Sequence, residues 1–258
     1  MKKILIMGLP GSGKTTLAKE VVKSLKADWF NADKIRGKYN DWDFSREGIL
    51  RQVKRMRKLA DQSKKKFVVA DFICPIEEQF KIFKPHYTVW MDTIAKSRYP
   101  HINRIFKKPK KFNLRVTSKD CEVWKIPIID LIKKYKWNNQ KETGQMLGRF
   151  QPFHIGHKLL FFEILKKKGQ VIVMVKDVHG IGDNPFSFTQ IKKEITKQLS
   201  PFQKRLKIIL APNISEIFYG RKVGYKIKKI NLPKKIQKIS ATNIRKYLRK
   251  KKFLKNSF

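Results

Sequence analysis

Apolar residues in this chain fall into short unbroken runs separated by helical stripes. Ile4-Leu5-Ile6-Met7, Asp28-Trp29-Phe30, Phe67 to Asp71, Tyr87 to Asp92 and Val171 to Val175 read as buried strands. Between them, Leu17, Val21 and Val22 recur at helical spacing, in a helix that ends near Ala27. A longer helix runs from Ser45, its cap, to Lys64, with Ile49, Leu50, Val53, Met56, Leu59 and Ala60 on one face. A short helix reaches Phe83, and Ile126 to Lys136 closes the first half. Leu159, Leu160, Phe161 and Ile164 give a further helix its inner face. Strands alternating with helices predict an α/β chain with parallel sheets. The polar stretch 136–144 divides it into a domain at 1–137, a linker at 138–144 and a domain at 145–258.

The first strand runs into Gly8-Leu9-Pro10-Gly11-Ser12-Gly13-Lys14-Thr15, which fits G-x-x-x-x-G-K-[ST] at every fixed position, and Thr16 continues into the helix. Glycines at 8, 11 and 13 let successive N–H groups face one concavity, and the helix start adds positive potential there. Lys14 is then expected at the outer phosphates of ATP and Thr15 on a magnesium ion. Asp33 and Asp71 follow strands two and three, so both are expected to face the ligand crevice as magnesium-site carboxylates. Asp33 also reads as a helix cap, and Arg46, Arg51, Arg55 and Arg57 read mostly as solvated charge. After Asp92, Arg98, His101, Arg104, Lys107, Lys108, Lys110 and Lys111 suggest a phosphate-covering lid, or equally a surface loop.

The loop motif, Asn31-Ala32-Asp33-Lys34-Ile35-Arg36, Asp43-Phe44-Ser45 and Phe72-Ile73-Cys74-Pro75 together resemble adenylylsulfate kinase over roughly the first 115 residues. The resemblance implies that Asp33 and Arg36 contact the acceptor and the reaction centre, with Phe72 and Ile73 lining the acceptor site. Where the family has an arginine and an asparagine this chain has Ile49 and Leu50, and Arg51 and Gln52 are the nearby replacements. The family's Lys-Gly-Leu-Tyr lid signature is missing.

In the second half, Gly148-Arg149-Phe150-Gln151-Pro152-Phe153-His154-Ile155-Gly156-His157 places H-x-G-H at a strand-to-helix junction. His154 and His157 are expected to donate hydrogen bonds as charge builds on a bridging phosphate oxygen, and Gly156 allows close backbone approach. Ile239-Ser240-Ala241-Thr242-Asn243-Ile244-Arg245 puts hydroxyls at a helix start, another anion site, with Arg245 one turn in. Asp177 lies in a turn-rich loop expected to shape the acceptor pocket, and Arg221 in a second loop reads as a triphosphate contact or as surface charge. This pair of motifs resembles the nucleotidylyltransferase superfamily and, in the first motif, the nicotinamide-mononucleotide adenylyltransferases. That implies a Rossmann-like domain that binds a nucleoside triphosphate through Gly148, Arg149, Phe150, His154, Gly156, His157, Arg221, Ser240, Thr242 and Arg245. It also implies transfer of the nucleoside monophosphate of ATP or CTP to a phosphate-bearing acceptor.

Lys and Arg number 61 against 20 Asp and Glu, a net charge of +41. Basic residues occur along the whole chain, so the charge reads as a lysine-rich bias partly explained by phosphorylated substrates, and a dedicated nucleic-acid function is not expected. Two cysteines without metal spacing imply a reducing, cytoplasmic setting; the apolar run after Met1-Lys2-Lys3 is too short for a leader, and no run is long enough for a membrane span. The expectation is a P-loop kinase followed by a Rossmann-like nucleotidylyltransferase. Alternatives are a ribosylnicotinamide kinase joined to a nicotinamide-mononucleotide adenylyltransferase, and a non-catalytic nucleotide-gated regulator that binds nucleic acid.

Overall fold

The computed structural model describes residues 1–218, 220–221 and 226–254. The chain divides into two compact units between Tyr135 and Lys136. In unit 1, five parallel strands stand in the order β2-β3-β1-β4-β5: β1 (Lys2–Gly8), β2 (Asp28–Asn31), β3 (Phe67–Phe72), β4 (Tyr87–Met91) and β5 (Leu114–Val116). The helices are α1 (Lys14–Leu25), α2 (Ala32–Lys38), α3 (Arg46–Asp61), α4 (Glu77–Phe83), α5 (Pro100–Ile105) and α6 (Cys121–Lys133).

Strand alternation assigns the two faces of this sheet. Leu5 and Met7 of β1 and Val68, Ala70 and Phe72 of β3 pack with Val53, Met56 and Ala60 of α3 and Phe83 of α4 in one buried cluster. The intervening Ile6 and Asp71 are register partners and belong to the opposite face. The connection from β1 leaves towards β2 and that from β4 towards β5, so the turn after β1 stands where strand order reverses, the usual place for a ligand crevice in an open parallel sheet.

Several expectations are corrected here. The chain after Asp92 does not stay without regular structure: α5 lies within the basic segment 98–111 and β5 follows it, pairing Val89 with Leu114 and Met91 with Val116. A three-residue strand in a basic stretch has too little apolar pattern to be read. Leu50 and Leu59 are only half-buried on α3, whereas Gln52 is interior because its amide Nε2 donates to the Ala32 carbonyl at 3.1 Å. Ser45 does cap α3, accepting from Gly48 N–H at 3.1 Å. The closing helix α6 begins earlier than expected, where Asp120 accepts from Val123 N–H.

Unit 2 has three parallel strands in the order β6-β7-β8: β6 (Gly144–Gly148), β7 (Val171–Lys176) and β8 (Leu206–Ala211). Its helices are α7 (Ile155–Lys168), α8 (Phe188–Gln198), α9 (Lys234–Gln237) and α10 (Ala241–Lys250), with a 3-10 turn at Ser200–Arg205. The most buried face of α7 is Phe161, Phe162 and Leu165; Leu159, Leu160 and Ile164 are half-buried. Phe161 and Phe162 both meet Phe202, at 6.1 and 5.1 Å between ring centres, which turns the helix from its expected face. A Cβ on Gly144 would lie 2.1 Å from Ile164 Cγ2, so α7 crosses β6 at a point that only glycine accommodates.

Candidate nucleotide sites

In unit 1, Gly8, Gly11 and Gly13 all have positive φ, at 147°, 81° and 92°. A Cβ on Gly8 would come 2.6 Å from the Met91 carbonyl, so the turn hugs the end of β4. Thr93 Oγ1 ties the turn down by donating to the Ser12 carbonyl at 2.7 Å. Gly13 caps α1 without a side-chain acceptor, and the first turn holds no acid, so the positive end of the helix dipole is not compensated. Beneath the turn the Ser12 hydroxyl is buried without a hydrogen-bond partner among the described residues. These features suit an anion.

Lys14 starts the helix and its Nζ donates to the Leu9 carbonyl at 2.9 Å. Burial lowers its pKa to about 8, opposed by the charges of Asp71 and Asp33. Asp71 is nearly fully buried and accepts three side-chain hydrogen bonds: Thr15 Oγ1 at 2.8 Å, Asn31 Nδ2 at 2.9 Å and Trp29 Nε1 at 2.7 Å. Thr15 and Asp71 are therefore adjacent hard-oxygen donors of the kind magnesium takes together with substrate phosphates and water. Among the described residues no group of three or more His, Cys, Asp and Glu forms an all-protein metal cage. Thr16 is exposed on the first turn of α1.

Asp33 is not the cap of α2. That role falls to Asn31, whose Oδ1 accepts from Lys34 N–H at 3.0 Å, because Asn31 sits at the strand end with extended backbone. Asp33 is exposed in the first turn, near enough to Lys14 to act on its charge. Asn31 and Trp29 were not singled out from sequence; their signal was proximity to a strand end that also carries Asp33.

The arginines expected as solvated charge are paired. Arg51 binds Asp41 through Nε and Nη2, both at 3.0 Å, and Asp43 at 3.0 Å, while Arg55 reaches Asp41 at 2.9 Å. Hydrogen bonds from Arg51 and Arg55 hold the Asp41 carboxyl well below the usual carboxylate range. Arg46 pairs with Glu78 and Arg57 with Asp61. Arg36 is buried; its Nη1 donates to the Asp41 and Asp43 carbonyls at 2.9 and 2.8 Å, and its guanidinium lies 4.6 Å from the centre of the Phe44 ring. Arg36, Arg51 and Arg55 thus fix the loop 39–45, on which Tyr39, Trp42 and Phe44 stand about half exposed. Phe72 is buried in the core cluster, and Ile73 follows it half-buried.

In unit 2, His154 and His157 are locked in a reciprocal arrangement at the start of α7. His154 Nδ1 accepts from Gly156 N–H at 3.1 Å, and His157 Nδ1 accepts from His154 N–H at 3.2 Å. The rings stack 3.7 Å apart. Burial lowers both pKa values, that of His157 to about 3 with a further contribution from His154. A neutral imidazole that accepts at Nδ1 carries its proton at Nε2, so each ring keeps one N–H for a ligand. Phe150 and Phe153 flank His157 at 5.0 and 5.4 Å between ring centres. Gly148 ends β6, and Arg149 is exposed beside it.

The second motif meets the first. Arg245 is buried: its Nη1 donates to the Gln151 carbonyl, its Nε pairs with Asp183 at 2.8 Å and its Nη2 reaches Thr242 Oγ1 at 3.3 Å. Arg249 takes the other Asp183 oxygen at 2.5 Å. Gln151 in turn exchanges hydrogen bonds with both backbone groups of Phe186, at 2.8 Å each. Ser240 occupies the cap position of α10 with no side-chain capping bond. Asp183 and Gln151, the joints of this network, lie in loops whose roles no local pattern announces. Asp177 is exposed at the end of β7, with its N–H on the Ala211 carbonyl. Arg221 is exposed; Tyr219 and residues 222–225 of its loop lie outside the described residues.

Among the described residues, no helix is long and apolar enough to cross a membrane. Residues 4–73 match the model of the ATPase family associated with various cellular activities (AAA), a span from β1 to just past β3 that includes the glycine-rich loop and Asp71. No curated protein matches the sequence. Among solved structures, the chain is similar to the APS kinase of Mycobacterium tuberculosis, at 23% identity over 51% of this chain and 96% of that one, TM-score 0.41. It is also similar to the shikimate kinase of Acinetobacter baumannii in complex with shikimate, at 16% identity over 52% and 94%, TM-score 0.39. The shikimate kinase of Aquifex aeolicus gives 16% over 51% and 96%, TM-score 0.40. Unit 1 is an α/β nucleotide-binding unit built on a parallel sheet and a phosphate-binding loop.

Proposed function

We propose that the chain carries two transferase activities. Unit 1 moves the γ-phosphoryl group of ATP to a hydroxyl of a small acceptor of the adenylylsulfate class. The observation that carries this reading is the Thr15–Asp71 hydrogen bond directly behind an uncapped glycine loop and Lys14. Magnesium, when bound by Thr15 and Asp71, supplies charge neutralisation between the outer phosphates. Lys14 orients and neutralises the same phosphates, Asp33 stands on the loop side to accept the acceptor's proton, and the 39–45 loop presents the acceptor.

Unit 2 transfers the nucleoside monophosphate of ATP or CTP to a phosphate-bearing acceptor and releases pyrophosphate. This rests on the paired Nε2–H donors of His154 and His157, aimed by their own backbone bonds. Arg245 and Thr242 brace the loop that presents them. The test is a metabolite screen on the full chain with ATP and with CTP, reading ADP and pyrophosphate separately. ADP that depends on an alcohol acceptor and pyrophosphate that depends on a phosphate acceptor are expected. Neither product with any acceptor defeats the reading.

A further inference from the structure

Lysines are spread along the whole chain, but the carboxylates that balance them are not. From residue 217 onward the sequence has fifteen Lys and Arg and no Asp or Glu. Among the described residues of this stretch the longest element is α10, and its two sides differ. Arg245 and Arg249, on the inner side with Ile244 and Leu248, share the carboxylate of Asp183. On the outer side, Asn243, Lys246, Tyr247 and Lys250 follow the i, i+3, i+4, i+7 spacing of one helical face, and all four are exposed. Neither Lys246 nor Lys250 has an acidic partner among the described residues.

The end of α10 extends the stripe. Lys252 adopts φ 59°, Phe253 N–H bonds the Leu248 carbonyl at 2.9 Å and Lys252 N–H the Arg249 carbonyl at 2.8 Å, the paired bonds of a Schellman cap. Such a cap commonly folds the next apolar side chain back onto the helix, onto Leu248 in this case. Phe253 instead stays 79% exposed, and Tyr247, one turn earlier, is 59% exposed. Two open aromatic rings therefore bracket Lys250, Lys251 and Lys252 at a hydrogen-bonded helix end.

We propose that this outer face of α10, with its capped end, binds single-stranded RNA. Lys246, Lys250, Lys251 and Lys252 would contact successive phosphates while unpaired bases stack on Tyr247 and Phe253. A duplex offers phosphates but keeps its bases stacked inside, so it leaves both rings unused. RNA is the nucleic acid that ordinarily presents unpaired bases in loops and tails. The assignment does not depend on either transferase activity.

The experiment is fluorescence anisotropy of the full chain with a labelled 20-nucleotide oligouridylate, over a series of KCl concentrations. Binding should weaken linearly in log–log form as salt rises. The double variant Lys246→Gln/Lys250→Gln should bind about tenfold more weakly and lower the slope by roughly 1.4, about 0.7 for each lost single-strand phosphate contact. Tyr247→Ala should weaken binding roughly tenfold with the slope unchanged, the signature of stacking. Lys64→Gln/Lys65→Gln, on an exposed turn of unit 1, removes the same charge and should change neither. Equal weakening by that control pair, full binding by Tyr247→Ala, or tighter binding to duplex RNA, to single-stranded DNA or to anionic phospholipid vesicles would each overturn the proposal.

Discussion

At the start of α1 the turn is made by glycines with positive φ and no side chain covers the helix end, whereas at the start of α7 two imidazoles cover it. The first arrangement leaves backbone N–H groups to meet an anion and adds one ammonium, Lys14. In the second, the N–H groups of His154 and Gly156 are taken by imidazole Nδ1 atoms, so the donors left for a ligand are the Nε2–H groups, one ring further out. The difference is one of reach and of charge. A backbone cradle wraps a phosphate and adds an ammonium that is charged at neutral pH, while a pair of neutral rings can only donate, and so suits charge that grows during reaction more than charge already present.

The largest effects should come from removing one donor set at a time. Lys14→Ala is expected to lower ADP formation at least about 10²-fold, on the order of 3 kcal/mol of transition-state stabilisation, and to leave pyrophosphate release intact. His157→Ala should do the reverse, with a loss of about 10²-fold in pyrophosphate release and unchanged ADP formation. Steady-state assays of both products on both variants check the pair, and cross-talk between them would mean that the two helix starts do not work independently.

The charge contrast predicts opposite pH behaviour. His157 has a folded pKa near 3, below its ordinary value of 6.5, so between these values the unfolded chain binds more protons. Its contribution to stability is present above pH 6.5 and is lost as pH falls towards 3. Unit 2 should lose about 3 kcal/mol between pH 7 and pH 4 from this group, read by denaturant melts of the full chain against His157→Gln. Lys14, with a pKa of about 8, should instead lose its charge as pH rises, so ATP binding should weaken above pH 8. Calorimetric titration with ATP at pH 7 and pH 9 measures that limb.

Smaller effects separate the two glycines that let each turn close. Alanine at Gly8 combines positive φ with a 2.6 Å contact to a backbone carbonyl and should cost about 2–4 kcal/mol. Alanine at Gly156 meets the edge of the His154 ring at 3.0 Å and Ile236 Cγ2 at 3.5 Å on ordinary helical backbone, so about 1 kcal/mol is expected, with the larger effect on the ring's aim. Thermal unfolding of the two variants ranks them; equal losses would mean that the α7 turn is as tightly built as the α1 turn.

Much of the fold was legible because strands buried on both faces write themselves as unbroken apolar runs, as Ile4 to Met7 does. β5 was not, since three residues carry no period. The glycine loop was readable because its φ values exclude most other residues. The partners of Asp71 were not, because Trp29 and Asn31 belong to another strand, and only the parallel register of β2 on β3 brings Asn31 opposite Asp71. The arginines of α3 look like solvent-facing charge in any helical projection, and the carboxylate partners of Arg51 and Arg55 lie on the loop before the helix, whose path is a tertiary fact.

The amino-acid sequence by itself determined the alternation of strands and helices, the two turns at which an anion can be held, and the groups present at each, because these depend on residue type and local spacing. Tertiary structure decided what those groups do: that Asp71 is spent on three donors and that Arg245 braces Gln151 and Asp183. Hydrogen-bond partners drawn from distant segments, and the loss of water around them, are set only when the chain closes on itself.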